Sequence, residues 1–232
     1  ETTFSGMRVS SNGKPFAAFH GGWNPAVPSN GSGRDHCYEQ VYPMNMWGKE
    51  FIVAGTSAQT GANKIRITSE ESGCNVYING LQVSTLNAQS TYEYSMSTTG
   101  NCHIVTSKPV CVILYMGSYT NTGHVGDPSS VTIPPLERGI CNSTFKVRSS
   151  SNLNDNQHYV NIVCDTRHDA SMQFDGNALP TSGTSVSDNY ILHHFPVTPG
   201  VHHIENEEGP FVAYAYGAGS WESRSEERRV GK

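Results

Sequence analysis

The chain repeats itself, and the length of the repeat fixes most of what it can fold into. FIVAGTSAQTGANKIRITSEESGCNVYING (51–80) and FKVRSSSNLNDNQHYVNIVCDTRHDASMQFDG (145–176) share one plan. Each runs Phe-x-Val, a polar loop, an apolar strand, a second loop and a second strand. Each then ends in Asn79-Gly80 or Asp175-Gly176, dipeptides suited to hairpin turns that need positive φ. The likeness continues from TTGNCHIVTSKPVCVILYMGS (98–118) to TPGVHHIENEEGPFVAYAYGAGS (198–220). Both carry Gly-x-x-His-Ile, a polar turn, Pro and an apolar alternation: Val110, Val112 and Leu114 in one, Phe211, Ala213 and Ala215 in the other. That alternation is the period of a half-buried strand. A third, partial copy, MRVSSNGKPFAAFHGG (7–22), opens the chain. Units of roughly 90–100 residues suit small sandwiches and are too long for solenoid repeats.

The expected architecture is therefore all-β: tandem β-sandwich-like units with an internal repeat, the first unit truncated. Residues 1–22 read as the end of that truncated unit, 23–118 as the first complete unit with a crossover, and 119–221 as the second. Composition agrees. Gly (23) and Pro (12) are plentiful and only 15% of residues are charged, unlike the Glu, Lys, Leu and Ala usage of long helices. The final RSEERRVGK (224–232) is highly charged and resembles the in-frame translation of a sequencing adapter. Residues 222–232 are expected to be a disordered scar outside the functional chain. With no initiator Met and no signal peptide, the chain reads as processed or partial, a piece of a longer polypeptide.

Net charge is −5, with no Lys/Arg stripe before the last residues, which argues against a nucleic-acid partner, because phosphate binding needs clustered positive charge. No apolar run approaches the ~20 residues of a membrane span. The six cysteines form no Cys-x-x-Cys pair, which disfavours a zinc knuckle. Together with the acceptor triplets at Asn30 and Asn142 they favour a secreted, oxidising setting. Cys102 and Cys111 flank the turn expected at Ser107-Lys108, which suggests a cross-strand disulfide. Cys141–Cys164 and Cys37–Cys74 complete one choice among the many pairings open to six cysteines; the alternative is that several stay free and buried.

GRDHCYEQVYP (33–43) concentrates the chemistry-bearing side chains. DHCYEQVYP (35–43) falls at the same place in its unit as DPSSVTIPP (127–135), so Asp35 and Pro43 match Asp127 and Pro135 as scaffold. His36, Cys37, Glu39 and Gln40 have no reactive counterparts. On an extended strand His36 and Gln40 share one face, Cys37 and Glu39 the other. A carboxylate beside a thiol raises its pKa, so nucleophilic catalysis is disfavoured. A polar network locking the crossover and a ligand-contact surface both stay open. The binding candidates are His36, Glu39, Gln40 and Trp47. Trp47, Trp23 and Tyr115 form either an exposed platform or, as aromatics at strand ends commonly do, core. His193-His194 and His202-His203 flank a hairpin expected near Thr198. Two imidazoles per face fall short of the ligands zinc needs, so no metal and no cofactor is expected.

At DHCYEQ followed by MNMWGKEF (35–40 and 44–51) the sequence resembles the IgG Fc-binding protein N-terminal domain family, marked by Asp-His-x-x-Glu-Gln and a Trp-Gly a few residues on. Lys14-Pro15-Phe16, IRIT (65–68), VYING (76–80), SKPV (107–110) and YMGS (115–118) also fit, and the likeness spans about residues 4–220. Cys37 departs from it, standing where an apolar residue is usual. The resemblance implies a secreted or surface-exposed β-rich binding module of mucus-associated proteins, without catalysis. Its ligand would be an extracellular protein or glycoprotein, with Fc binding belonging to named members. A lectin-like module and a purely structural spacer are the alternatives.

Overall fold

The computed structural model describes residues 5–28, 31–57, 62–119, 126–148, 157–219 and 222–228. β1 (Phe19–Gly22) and β2 (Cys37–Gln40) form a two-stranded antiparallel ribbon. β3 (Gly48–Ala54), β4 (Asn63–Ser69), β5 (Cys74–Ile78), β6 (Leu81–Leu86), β7 (Ser90–Met96), β8 (Asn101–Met116) and β9 (Ser129–Ile133) follow. Next come β10 (Asn142–Val147), β11 (His158–Asp165), β12 (Gln173–Phe174), β13 (Asn177–Ala178), β14 (Thr184–Ser185) and β15 (Tyr190–Pro196). β16 (Gly200–Glu205), β17 (Phe211–Gly219) and β18 (Glu222–Arg228) complete the fold. The expected all-β, sandwich-like class is what these strands build.

β8 organises the first unit. Its first part pairs with β3 and β5, its second with β4 and β9, so one strand ties together a seven-stranded sheet. Even-numbered residues from Cys102 to Met116 are buried except Lys108, which gives two apolar stretches, Cys102–Ile104 and Val110–Met116, separated by Thr106 and Lys108. Lys108-Pro109 does not turn the chain. Gly48 pairs with Val110 and Glu50 with Val105, so the ladder skips the segment where a proline cannot donate. In the second unit the corresponding stretch is interrupted. β16 joins β10 and β12, while β17 joins β11 and β18. β9 lies beyond residue 118 yet completes the first unit's sheet.

This arrangement corrects several expectations. Cys102 and Cys111 lie on opposite faces of one strand, about 30 Å apart at the strand rise, far outside disulfide reach. Cys74 Sγ faces the Lys108 carbonyl at 3.7 Å, whereas Cys37 sits near Ser130, whose partner on β8 is Tyr115, roughly 20 Å along the strand. Ile140 bridges Phe211 on one side and Cys164 pairs with it on the other, which holds Cys141 and Cys164 roughly two strand spacings, about 10 Å, apart. All six thiols are free. β15 and β16 belong to different sheets, so the two His pairs do not face one another. Glu222–Arg228 is a strand beside β17 rather than disordered, because the edge of β17 offers it a full ladder of partners. Residues 229–232 lie outside the described residues.

The repeated turns are alike in detail. Asn79 and Asp175 both adopt positive φ, 50° and 52°. The Asn79 side-chain oxygen accepts from the His103 N–H at 2.9 Å, and the Asp175 carboxylate accepts from the His203 N–H at 2.7 Å. Asp175 differs by also meeting His202 Nδ1 at 2.8 Å. Partial burial pulls the Asp175 carboxyl upward, but the His202 and His203 hydrogen bonds outweigh it and hold it below the ordinary range. A carboxyl lowered in this way contributes stability that is complete above its unfolded pKa, near 4, and is lost as pH falls through the folded value. Asp175→Asn copies the first unit's turn. We expect it to remove this part of the acid-side loss, on the scale of an exposed ion pair, ~0.2–1 kcal/mol. Thermal midpoints against pH check this; parallel wild-type and variant curves below about pH 4 would show that the carboxylate contributes nothing.

Two cores result. The larger packs Phe51, Ile52, Ile65, Ile67, Ile104, Val112 and Leu114 against Val163, Leu192, Val212 and Tyr214 of the second unit. The smaller lies within the second unit around Phe145, Ile162, Phe195, Ile204 and Phe211. The units are fused through shared apolar area rather than strung on a linker.

Candidate functional site

The β1–β2 ribbon carries the motif that the sequence singled out. Its register pairs Phe19 with Gln40, His20 with Glu39, Gly21 with Tyr38 and Gly22 with Cys37. Directly paired residues share a face, so Cys37, Glu39, His20 and Gly22 face one way, and Phe19, Gly21, Tyr38 and Gln40 the other.

The inner face fastens the ribbon to the first unit. Glu39 Oε1 accepts from the Thr132 N–H of β9 at 2.7 Å, occupying a donor on an otherwise open strand edge. The other carboxylate oxygen is buried, 3.9 Å from His20 Nε2 and without a hydrogen bond among the described residues. Burial lowers the His20 pKa, with the Glu39 charge opposing it. Cys37 is buried beside Ser130. Desolvation first, then the charges of Asp35 and Glu39, push its thiol up to about 11. A thiol so protonated is a poor nucleophile at neutral pH.

The outer face is aromatic. Phe19 and Tyr38 stack with centroids 5.3 Å apart and planes 2° apart. Trp23 packs on His36 at 5.8 Å. Gly21 makes the first stack feasible: a Cβ there would lie 3.2 Å from the Tyr38 ring and 2.3 Å from the Cys37 carbonyl oxygen. Phe19 is 52%, Tyr38 66% and Trp23 87% exposed, and Phe16 is exposed just before the ribbon. Neighbouring apolar groups of this size left in water mark an interaction surface more often than scattered single residues do.

The structure thus divides the sequence candidates. His36 and Gln40 are exposed and outward, with Asp35 Oδ1 accepting from the His36 N–H at 2.7 Å. Glu39 is turned inward and anchors β2, so His36, Cys37 and Glu39 do not converge on one reacting atom. Trp47 stands apart: it is half-buried, and its indole N–H donates to the Tyr42 carbonyl at 3.2 Å across the turn that starts at Pro43. That turn has a counterpart at Pro135. Met46 N–H donates to the Pro43 carbonyl and Arg138 N–H to the Pro135 carbonyl, at 2.8 and 2.9 Å. The two turns also meet: a Cβ on Gly48 would come within 2.2 Å of Pro135 Cβ, which explains the glycine after Trp47. Tyr115 is half-buried beneath the Arg66 guanidinium, 5.2 Å above its ring, and Trp23 is solvent-facing rather than core. Sequence reasoning missed Phe19 and Tyr38. The signal was present in FHGG (19–22), where glycines opposite an aromatic leave room for a cross-strand ring stack.

The described residues form an all-β fold with aromatic side chains exposed on one face of the β1–β2 ribbon and Cys37 buried on the other. The chain belongs to the IgGFc binding protein family, whose family model matches residues 1–217. No curated protein matches at a significant level. Among solved structures, the apo lectin of Pleurotus ostreatus aligns over 77% of this chain and 73% of its own, at 11% identity and a TM-score of 0.25. The Streptomyces avermitilis α-L-rhamnosidase in complex with L-rhamnose aligns over 78% and 25%, at 8% identity and a TM-score of 0.24. A conserved protein of unknown function from Pseudomonas aeruginosa PAO1, PA5104, aligns over 75% and 76%, at 12% identity and a TM-score of 0.22. Likenesses this remote carry no functional argument. No helix among the described residues is long and apolar enough to cross a membrane.

Proposed function

We propose that this chain is a non-catalytic, secreted binding module of a larger mucus- or matrix-associated protein, and that its β1–β2 ribbon contacts an extracellular protein or glycoprotein. The observation that carries this reading is the aromatic row Phe19, Tyr38, Trp23 and His36, exposed on a ribbon whose other face is anchored. Aromatic anchors on a pre-organised surface contribute most of the affinity in protein interfaces. The family name makes immunoglobulin Fc one ligand to test. The test is direct: immobilise the chain and pass Fc, mucin and deglycosylated mucin over it. Binding that survives deglycosylation supports protein recognition; absence of binding to all three favours a structural spacer.

Carbohydrate recognition is the second reading, and one feature favours it. A cleft of about 160 Å³ is lined by Asp165, Arg167, His168 and Tyr190 among apolar neighbours. Ligand pockets for drug-sized molecules start near ~300 Å³, so this cleft has room for roughly one sugar ring. Binding to mucin that is lost on deglycosylation, with none to Fc, would select it.

Secretion carries its own prediction. Asn142 is exposed at the start of edge strand β10, open to a glycan; Asn30 lies outside the described residues. Expressed through a eukaryotic secretory pathway, the chain should lose one glycan's mass on Asn142→Gln. An unchanged electrophoretic mobility would remove Asn142 as an acceptor.

A further inference from the structure

Val160, Ile162 and Cys164 of β11 point into the smaller core, and the last of them is Cys164. β15 runs beside β11 with Ile162 paired to His193 and Cys164 to Ile191, which makes Cys164 and His193 diagonal neighbours on one face. Between them comes Asp169, carried by a 3-10 turn at Thr166–Ser171. That turn is held at both ends: the Asp165 carboxylate accepts from the Arg167 N–H at 2.8 Å, and Met172 N–H donates to the Asp169 carbonyl at 3.1 Å. The thiol sulfur, a carboxylate oxygen and His193 Nε2 all lie within 4.8 Å of one another.

We infer that Cys164, Asp169 and His193 form a zinc-type site, a three-ligand centre with a fourth position for water. The donor set is sulfur, oxygen and imidazole nitrogen, which suits a borderline-soft divalent ion such as Zn²⁺. His193 is arranged as metal-binding histidines are. It is 2% exposed, and its Nδ1 faces the Thr181 carbonyl at 3.1 Å, which fixes that nitrogen as the donor and presents Nε2 to the centre. Distances decide how much must move. Metal bonds of about 2.3 Å to sulfur and 2.0–2.1 Å to oxygen and nitrogen set tetrahedral edges of about 3.5 Å for S···O and about 3.3 Å for N···O. Cys164 Sγ is already 3.7 Å from Asp169 Oδ1. Asp169 Oδ1 to His193 Nε2 is 2.6 Å, a hydrogen bond that has to open by about 0.7 Å. The Asp169 side chain is 30% exposed and free to swing by that much, and the same opening admits the water. Without metal the carboxylate bridges thiol and imidazole by hydrogen bonds. With metal the thiol proton and the Nε2 proton held against Asp169 are both released, and the ion takes that bridging place. The product is a clip joining β11, β15 and the turn in a unit with no bonded disulfide.

Co²⁺ added to the reduced, chelator-stripped chain tests the site, because thiolate-to-cobalt charge transfer and intense tetrahedral visible bands report sulfur ligation directly. One equivalent should develop both, and Zn²⁺ should displace them. Cys164→Ser, close to isosteric, should abolish the charge-transfer band and weaken Zn²⁺ binding at least ~100-fold, while the exposed Cys141→Ser should change neither. The wild-type thermal midpoint should rise with Zn²⁺ concentration, and that rise should disappear in Cys164→Ser. A wild-type chain that gives no charge-transfer band, or a band that survives Cys164→Ser, overturns the assignment and leaves the cluster as a hydrogen-bonded brace.

Discussion

Replacing Tyr214 by phenylalanine is expected to lower the thermal midpoint by about 2–12 °C while removing one oxygen atom. Tyr214 lies on β17 in the second unit, yet its hydroxyl accepts the Ala54 N–H at the end of β3 in the first, at 2.7 Å. Both groups are buried, Tyr214 to 1% exposure. Burial raises the phenol's pKa, so it remains a neutral hydroxyl at any working pH. Deleting it leaves a backbone donor with no partner and no route to water, at a cost of about 1–3 kcal/mol. At ~2–4 °C per kcal/mol for a chain of this size, that produces the stated range.

Tyr216 supplies the comparison. Its hydroxyl accepts the Ser57 N–H at 2.8 Å in the same manner, two residues along the same strand. Ser57 is exposed, so water replaces the lost acceptor and Tyr216→Phe should cost under about 1 kcal/mol. A single calorimetric transition is expected for wild type and both variants, because Val163, Leu192, Val212 and Tyr214 pack into the first unit's core. Equal destabilisation by the two substitutions, or two separate transitions, would refute the view that the units share one core through this contact.

Much of this was legible in the chain. Apolar alternation places Ile65 and Ile67 inside β4 with Lys64, Arg66 and Thr68 half-buried between them, and the Asn79-Gly80 and Asp175-Gly176 turns sit where their backbone demands require. The two faces of β2 follow from strand geometry alone. What sequence missed was long-range. A Lys-Pro dipeptide reads as a turn when its neighbours are unknown, yet Pro109 stays in β8 because β3 bulges past it. The His193-His194 and His202-His203 pairs look like hairpin partners from spacing, but β15 and β16 leave for different sheets, and His193 meets Asp169 instead. Trp23 resembles core by type. Its exposure depends on which side of the ribbon lies against β9, and Glu39 settles that through a contact 93 residues away.

The aromatic ribbon carries the second large effect. Trp23→Ala and Tyr38→Ala should each weaken binding of whichever protein ligand the chain captures by about 30-fold or more, the scale of a 2 kcal/mol hot spot. The fold should hardly respond. Trp23 is 87% exposed, and truncation at such a position changes stability within about 0.5 kcal/mol. Tyr38→Ala loses its stack on Phe19, about 0.5–1.5 kcal/mol, but the ribbon stays docked through the inner-face bond from Thr132 to Glu39. Two further variants separate contact from scaffold. Glu39→Ala keeps the aromatic row and cuts its anchor, so affinity and thermal midpoint should fall together. Leu81→Ser removes an apolar side chain that is 73% exposed on β6, in a different sheet from the ribbon, and should leave binding untouched. A comparable loss from Leu81→Ser would reduce the interaction to general stickiness. Full binding by folded Trp23→Ala and Tyr38→Ala would move the contact surface off the ribbon and return the aromatic row to an unexplained exposure.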